Sequence, residues 1–202
     1  VTGAKLNTDV ISAQTALATE PADTDEFMVS DAGTLKRIDY SLIKGGGITE
    51  ADQWRISSDF DSGDSSPKYF TANWERNDVQ FDKIGTGMSE SSGVFTFPST
   101  GIWKVDFVCS CYLDGDARVD MRIDYTANNS SYAEAALSYN GINGSANGNR
   151  ERSSIATAIL DIDDTSNDKV KFALGDLDNA VTVKGSSSYN FTSATFIRLG
   201  DT

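Results

Sequence analysis

The 202 residues carry 30 acidic and 17 basic side chains and no histidine. A formal charge of −13 repels a phosphate backbone, so nucleic acid is not an expected partner; with no polybasic run and no apolar stretch near the roughly 20 residues that span a bilayer, neither is a membrane. Without histidine the usual general base, the Ser–His and Cys–His pairs and the commonest transition-metal ligand are missing, and no enzyme is expected.

Ten Phe, seven Tyr and three Trp can build a core, and only three prolines among plentiful Gly, Ser, Asn and Asp favour many short strands. Residues 1–44 read as a separate segment. Glu26–Ser30 and Thr34–Ile38 form two short strands around a hairpin turn, Asp31-Ala32-Gly33, with Gly33 free to take positive φ. Asp39–Ile43 reads as one helical turn capped by Asp39. So small a unit needs a neighbour to bury surface. Gly45-Gly46-Gly47 opens a linker over 45–51, and 52–202 forms the main domain.

In that domain strand patterns recur between turn clusters. Trp103, Val105, Phe107, Cys109, Cys111 and Leu113 alternate with Lys104, Asp106 and Ser110; Val119, Met121, Ile123 and Tyr125 alternate with Arg118, Asp120, Arg122 and Asp124. Each strand therefore has one wet face. Cys109 and Cys111, two apart on one strand, read as buried thiols and not as a bridge. Ile155–Leu160 and Ala194–Ile197 are apolar on both faces and need cover on both. Either the centre of a sandwich or a second copy of the chain provides it. No period of 20–50 residues repeats, so the expected class is all-β, a jelly-roll or Greek-key sandwich.

The run Gly93-Val94-Phe95-Thr96-Phe97-Pro98-Ser99-Thr100-Gly101-Ile102-Trp103-Lys104-Val105-Asp106-Phe107 resembles the signature of the tumour-necrosis-factor/complement globular-head superfamily, with Trp103 where Tyr is usual. Phe81–Gly87, Ala158–Ile162, Asp168–Phe172 and Ser193–Leu199 resemble its neighbouring strands, with Asn167 in place of a usual Gly. The resemblance implies a ten-stranded jelly roll over about residues 54–202 and a homotrimer. The interface expected for that trimer is Ile155, Thr157, Ile159, Leu160, Phe196 and Ile197. Upstream, Ala22–Asp31 followed by Gly33–Ile38 is similar to segments of bacteriophage virion proteins, marine phages above all, that precede a fibre or knob. Together they imply a virion fibre, knob or capsid decoration protein used in host-surface attachment. Residues 1–44 would hold other virion proteins, and assembly would occur in the host cytoplasm, where free thiols persist. The alternatives are a secreted complement/TNF-like or lectin-like recognition domain, and a carboxylate-dependent glycan depolymerase.

Asp59–Asp64 and Asp161–Asp168 place carboxylates near one another, but neither has the spacing of a calcium loop and both read first as turns. No cofactor is expected; calcium is the one ion the second cluster could take. The Asn/Gly-rich loop Tyr139–Arg150 suits ligand contact on a rigid scaffold. Trp74, Tyr132, Tyr139 and Arg150 are the candidates for stacking on a surface glycan or protein.

Overall fold

In the N-terminal hairpin, β1 (Glu26–Asp31) pairs with β2 (Thr34–Asp39) so that Asp31 lies opposite Thr34. That register leaves a two-residue turn, Ala32-Gly33, with φ of 48° and 84°. Two successive positive φ values make the turn whose twist matches right-twisted strands. Ala32 therefore shares the conformation expected of Gly33 alone. A 3-10 turn follows at Tyr40–Leu42, but Asp39 makes no side-chain cap. Backbone bonds hold the turn instead, from Tyr40 N–H to the Asp25 carbonyl (2.7 Å) and from Lys44 N–H to that of Tyr40 (2.8 Å).

The computed structural model describes residues 13, 15–44, 46–63, 66–113, 118–141, 150–175, 177 and 181–202. The chain divides into two units between Gly47 and Ile48. No described residue of 13–44 is buried.

The second unit is a sandwich of two antiparallel sheets. Sheet I contains β3 (Ala51–Ile56), β4 (Ser58–Asp61), β6 (Trp74–Arg76), β7 (Lys83–Ile84), β10 (Gly101–Leu113), β13 (Arg150–Ile162), β15 (Thr182–Ser186) and β16 (Ser193–Gly200). Sheet II contains β5 (Lys68–Tyr69), β8 (Ser89–Ser91), β9 (Val94–Thr96), β11 (Arg118–Thr126), β12 (Ala133–Gly141) and β14 (Lys169–Gly175). The all-β jelly-roll sandwich expected from the pattern is what forms. Strand β10 organises sheet I: β13 pairs along its whole length on one side, and β16 then β15 pair on the other.

Period-2 alternation turns Trp103, Val105, Phe107, Cys109 and Cys111 inward. Val119, Met121 and Ile123 of β11 and Val170, Phe172 and Leu174 of β14 meet them from sheet II. Phe107 stacks on Phe172 with centroids 4.8 Å apart, and Phe172 also touches Trp74, Phe95 and Phe196. Both cysteines are free and buried. The adjacent Cys111 sulfur and the loss of water push the Cys109 thiol up, so it stays protonated.

The glycines of the Gly93–Phe107 motif have steric reasons. Ser92-Gly93 (φ 52° and 81°) is a second two-residue hairpin turn, between β8 and β9. A Cβ at Gly93 would lie 2.2 Å from the Phe70 carbonyl oxygen. At Gly101 (φ 131°) it would lie 2.5 Å from that of Gly200. Between them Phe97 packs on Trp103 at 5.2 Å, and the Trp103 indole N–H donates to the Ser99 carbonyl at 3.1 Å.

Two charged residues of β3 are buried and fully partnered. The Asp52 carboxylate accepts from Arg76, the Trp54 indole and the Met88 N–H. Arg55, with no exposed surface, donates to Glu75, Asn77 and Asp78. These bonds fasten the 74–88 segment against sheet I.

Phe172→Ala should lower the unfolding free energy by about 3–5 kcal/mol in urea denaturation, because one cavity undoes packing between both sheets. Gly93→Ala should cost about 2 kcal/mol or more by strain alone, while Ala32→Gly, which relieves the same strain in the hairpin, should slow amide exchange in β1 and β2.

Candidate functional site

The outward side chains of sheet I form the first candidate surface. On β13 the expected double-sided strand resolves into two rows. Ala156, Ala158, Leu160 and Ile162 are buried, whereas Ile155 and Ile159 are 52% and 66% exposed with Thr157 between them. On β16 Ala194 and Phe196 are buried, and Thr195, Ile197 and Leu199 point outward. Of the residues expected at an interface, Ile155, Thr157, Ile159 and Ile197 therefore share one outer face. Leu160 and Phe196 do not: Leu160 pairs with Trp103 and Phe196 with Val105, and antiparallel partners point the same way, into the core.

Register brings the outer residues together. Lys104 of β10 lies between Ile159 and Ile197, and Val108 lies between Ile155 and Ser193. Ala51 and then Ile84, 40% exposed, continue the first row across β3 and β7. The polar groups in the middle satisfy one another. Lys104 is ion-paired with Asp106, the Thr157 hydroxyl donates to Asp106 at 2.8 Å, and Gln53 donates to Thr195 at 2.9 Å. The face is apolar at its margins and internally neutralised at its centre. Val108, Ile84 and Leu199 were not singled out from sequence; Val108 had a signal, as an apolar residue following Lys104 and Asp106 on the outward side of β10.

The outer face of sheet II differs. Arg122 donates to Asp124 and also pairs with Glu134 at 2.9 Å, and the Tyr69 hydroxyl donates to Asp124 at 2.7 Å. The Lys171 ammonium lies 3.8 Å from the Tyr132 ring centroid and 5.5 Å from that of Tyr69; the Arg118 guanidinium lies 4.7 Å from that of Tyr139. Tyr132 and Tyr139 thus sit on one face among charges, with Tyr139 59% exposed. Trp74 does not join them. Its indole N–H donates to the Phe70 carbonyl at 2.8 Å and its ring packs on Phe95 at 5.0 Å, so it is a half-buried part of the core. The Arg150 side chain and residues 142–149 lie outside the described residues.

The acidic clusters form structural bonds. Asp59 pairs with Lys184 and accepts from the Gly185 N–H, and Asp61 accepts from Thr182, which together tie β4 to β15; Asp64 lies outside the described residues. Asp168 is buried and accepts from the N–H groups of Asp163 and Asp164, both at 2.8 Å, and from the Tyr125 hydroxyl at 2.7 Å. The Asp161–Asp168 cluster is thus a closed turn. Among the described residues no three acidic or thiol side chains converge on a point that a cation could fill. No helix among them is long and apolar enough to cross a membrane.

No family model and no curated protein matches this chain. Solved structures do. Eiger TNF from S. frugiperda superposes with a TM-score of 0.59 at 12% identity, over 77% of this chain and 96% of that one. Murine APRIL at pH 8.0 gives 0.54 at 10% identity, over 74% and 98%. At such identity the likeness speaks of fold alone: the sandwich is a TNF-like jelly roll, as the Gly93–Phe107 resemblance implied.

Burial and the Asp124 carboxylate push the Tyr69 hydroxyl up to about 12. A raised folded-state value means the protonated phenol stabilises the fold fully below pH 10 and progressively less as pH rises from 10 to 12. Tyr69→Phe should remove that late component from the ultraviolet tyrosine titration and flatten the loss of stability across this window.

Proposed function

We propose that this chain is a non-enzymatic recognition module, assembled as a homotrimer through the outer face of sheet I. The observation that supports this best is the make-up of the first face. Ile155, Ile159 and Leu199 stand in water beside an Asp106–Lys104–Thr157 group that already satisfies its own bonds. Covering each exposed isoleucine gains about 1 kcal/mol. Covering the neutralised centre leaves no unpaired charge to oppose it. Three copies is the number implied by the resemblance of Gly93–Phe107 to its superfamily, and a trimer makes three weak sites act together through effective concentration.

The setting we favour is a virion, as a fibre tip, knob or decoration protein used in attachment to a host surface. The similarity of Ala22–Ile38 to phage virion segments supports it. So does the hairpin unit, which exposes Phe27, Met28, Leu35 and Leu42 and has no buried residue among those described. Such a segment gains a core only from what it is fastened to. A second reading, a TNF-like recognition ligand outside any virion, is supported by the likeness to Eiger and APRIL. Electron density for this chain on a phage particle would separate the two.

Sedimentation should report a trimer at micromolar concentration. Ile159→Glu should give a folded monomer, and so should Ile159→Lys, because either charge would have to be desolvated in the contact. Trimers from both variants would place the contact elsewhere.

A further inference from the structure

Beyond the last apolar pair of sheet I's outer face, Val108 with Ile155, the surface sinks into a pocket of about 410 Å³. Ser110 and Tyr112 of β10, Glu151 and Ser153 of β13, Lys184 of β15 and Phe191 line it. We propose that this pocket binds a neutral pyranose, one residue of a surface glycan; the proposal rests on the recognition reading and gives it a ligand class.

Three features of the lining select that class. The first is charge. Glu151 lines the pocket together with Arg152 and Lys184, and Lys184 is already paired to Asp59. An anionic ligand meets the Glu151 carboxylate and a cationic one meets the two bases, so a ligand without charge fits best. The second is hydrogen-bonding capacity. The Ser110 and Ser153 hydroxyls, 3.2 Å apart, and the Tyr112 hydroxyl, bonded to Glu151, place donors and acceptors side by side. Hydroxyl groups both give and accept, and a ring bearing several of them matches such a row without stranding a partner. The third is the apolar component. Phe191, 43% exposed, lines the pocket together with Tyr112, over whose ring the Lys184 ammonium sits at 4.7 Å. An aromatic beside hydroxyls accommodates a sugar, which has an apolar C–H face and a polar edge. A wholly apolar ligand would instead strip water from Glu151 and Lys184 without replacing it. The pocket lies past the end of the apolar patch, so contact between copies through that patch leaves the pocket at its rim.

The test is saturation-transfer NMR on the full chain with D-glucose, D-galactose and D-mannose, paired with sedimentation of the same samples. We expect transfer from at least one hexose, with a Kd of about 1 mM. Phe191→Ala should weaken it about tenfold, while circular dichroism and the sedimentation coefficient stay those of the parent. Absence of transfer from every hexose at about 10 mM overturns the proposal. So does transfer unchanged in both Phe191→Ala and Tyr112→Ala, and so does tighter binding of glucosamine or of sialic acid than of the neutral sugars. A trimer that binds no hexose removes this proposal and leaves the assembly standing; a monomer that binds one does the reverse.

Discussion

The contact of Phe107 with Phe172 is the hinge of the molecule. One ring belongs to sheet I and the other to sheet II, and around them Trp74, Phe95 and Phe196 close a dry interior. Dense packing of rigid rings holds both sheets at one spacing and at one rotation. Each outward side chain inherits its place from that. Lys104 is between two isoleucines only because Trp103 and Val105 on either side of it are committed inward.

The two outer faces then diverge in chemistry. Sheet II keeps its arginines, acids and lysine in pairs and over tyrosine rings; Asp124 is buried beneath Arg122 and Tyr69, while the outer pair with Glu134 is partly exposed and adds little to stability. Sheet I gathers isoleucines around a few mutually bonded polar groups. A monomeric surface of that kind invites association, whereas the face of sheet II tolerates water.

Several features were legible from residues alone, each through local chemistry. Gly33 announced a turn because a two-residue hairpin loop demands positive φ. Strands β10 and β11 announced themselves by strict alternation. The motif from Gly93 to Phe107 pointed to a jelly roll through its resemblance to a superfamily signature, and in the structure Phe97 and Trp103 pack together where it turns into β10. Other features had no local sign. Trp74 was a candidate for stacking on a ligand, but its indole is occupied by a carbonyl four residues away and its ring by Phe95. Arg55 gave no hint of burial, since its three partners come from a segment 20 to 23 residues along the chain. The pocket beside Tyr112 was invisible for the same reason, being assembled from β10, β13, β15 and the approach to β16.

By itself the sequence determined the class of fold, the position of the N-terminal hairpin and the inward row of β10, because turn geometry and period-2 alternation act within a few residues. What it left open was the orientation of Ile155–Leu160 and Ala194–Ile197, whose apolar residues occur on both parities. Only tertiary pairing decided it. Leu160 opposite Trp103 and Phe196 opposite Val105 must follow their partners into the core, and that turned Ile159 and Ile197 outward. Antiparallel neighbours share a face, so a strand with no alternation of its own takes the orientation of the strand it is bonded to.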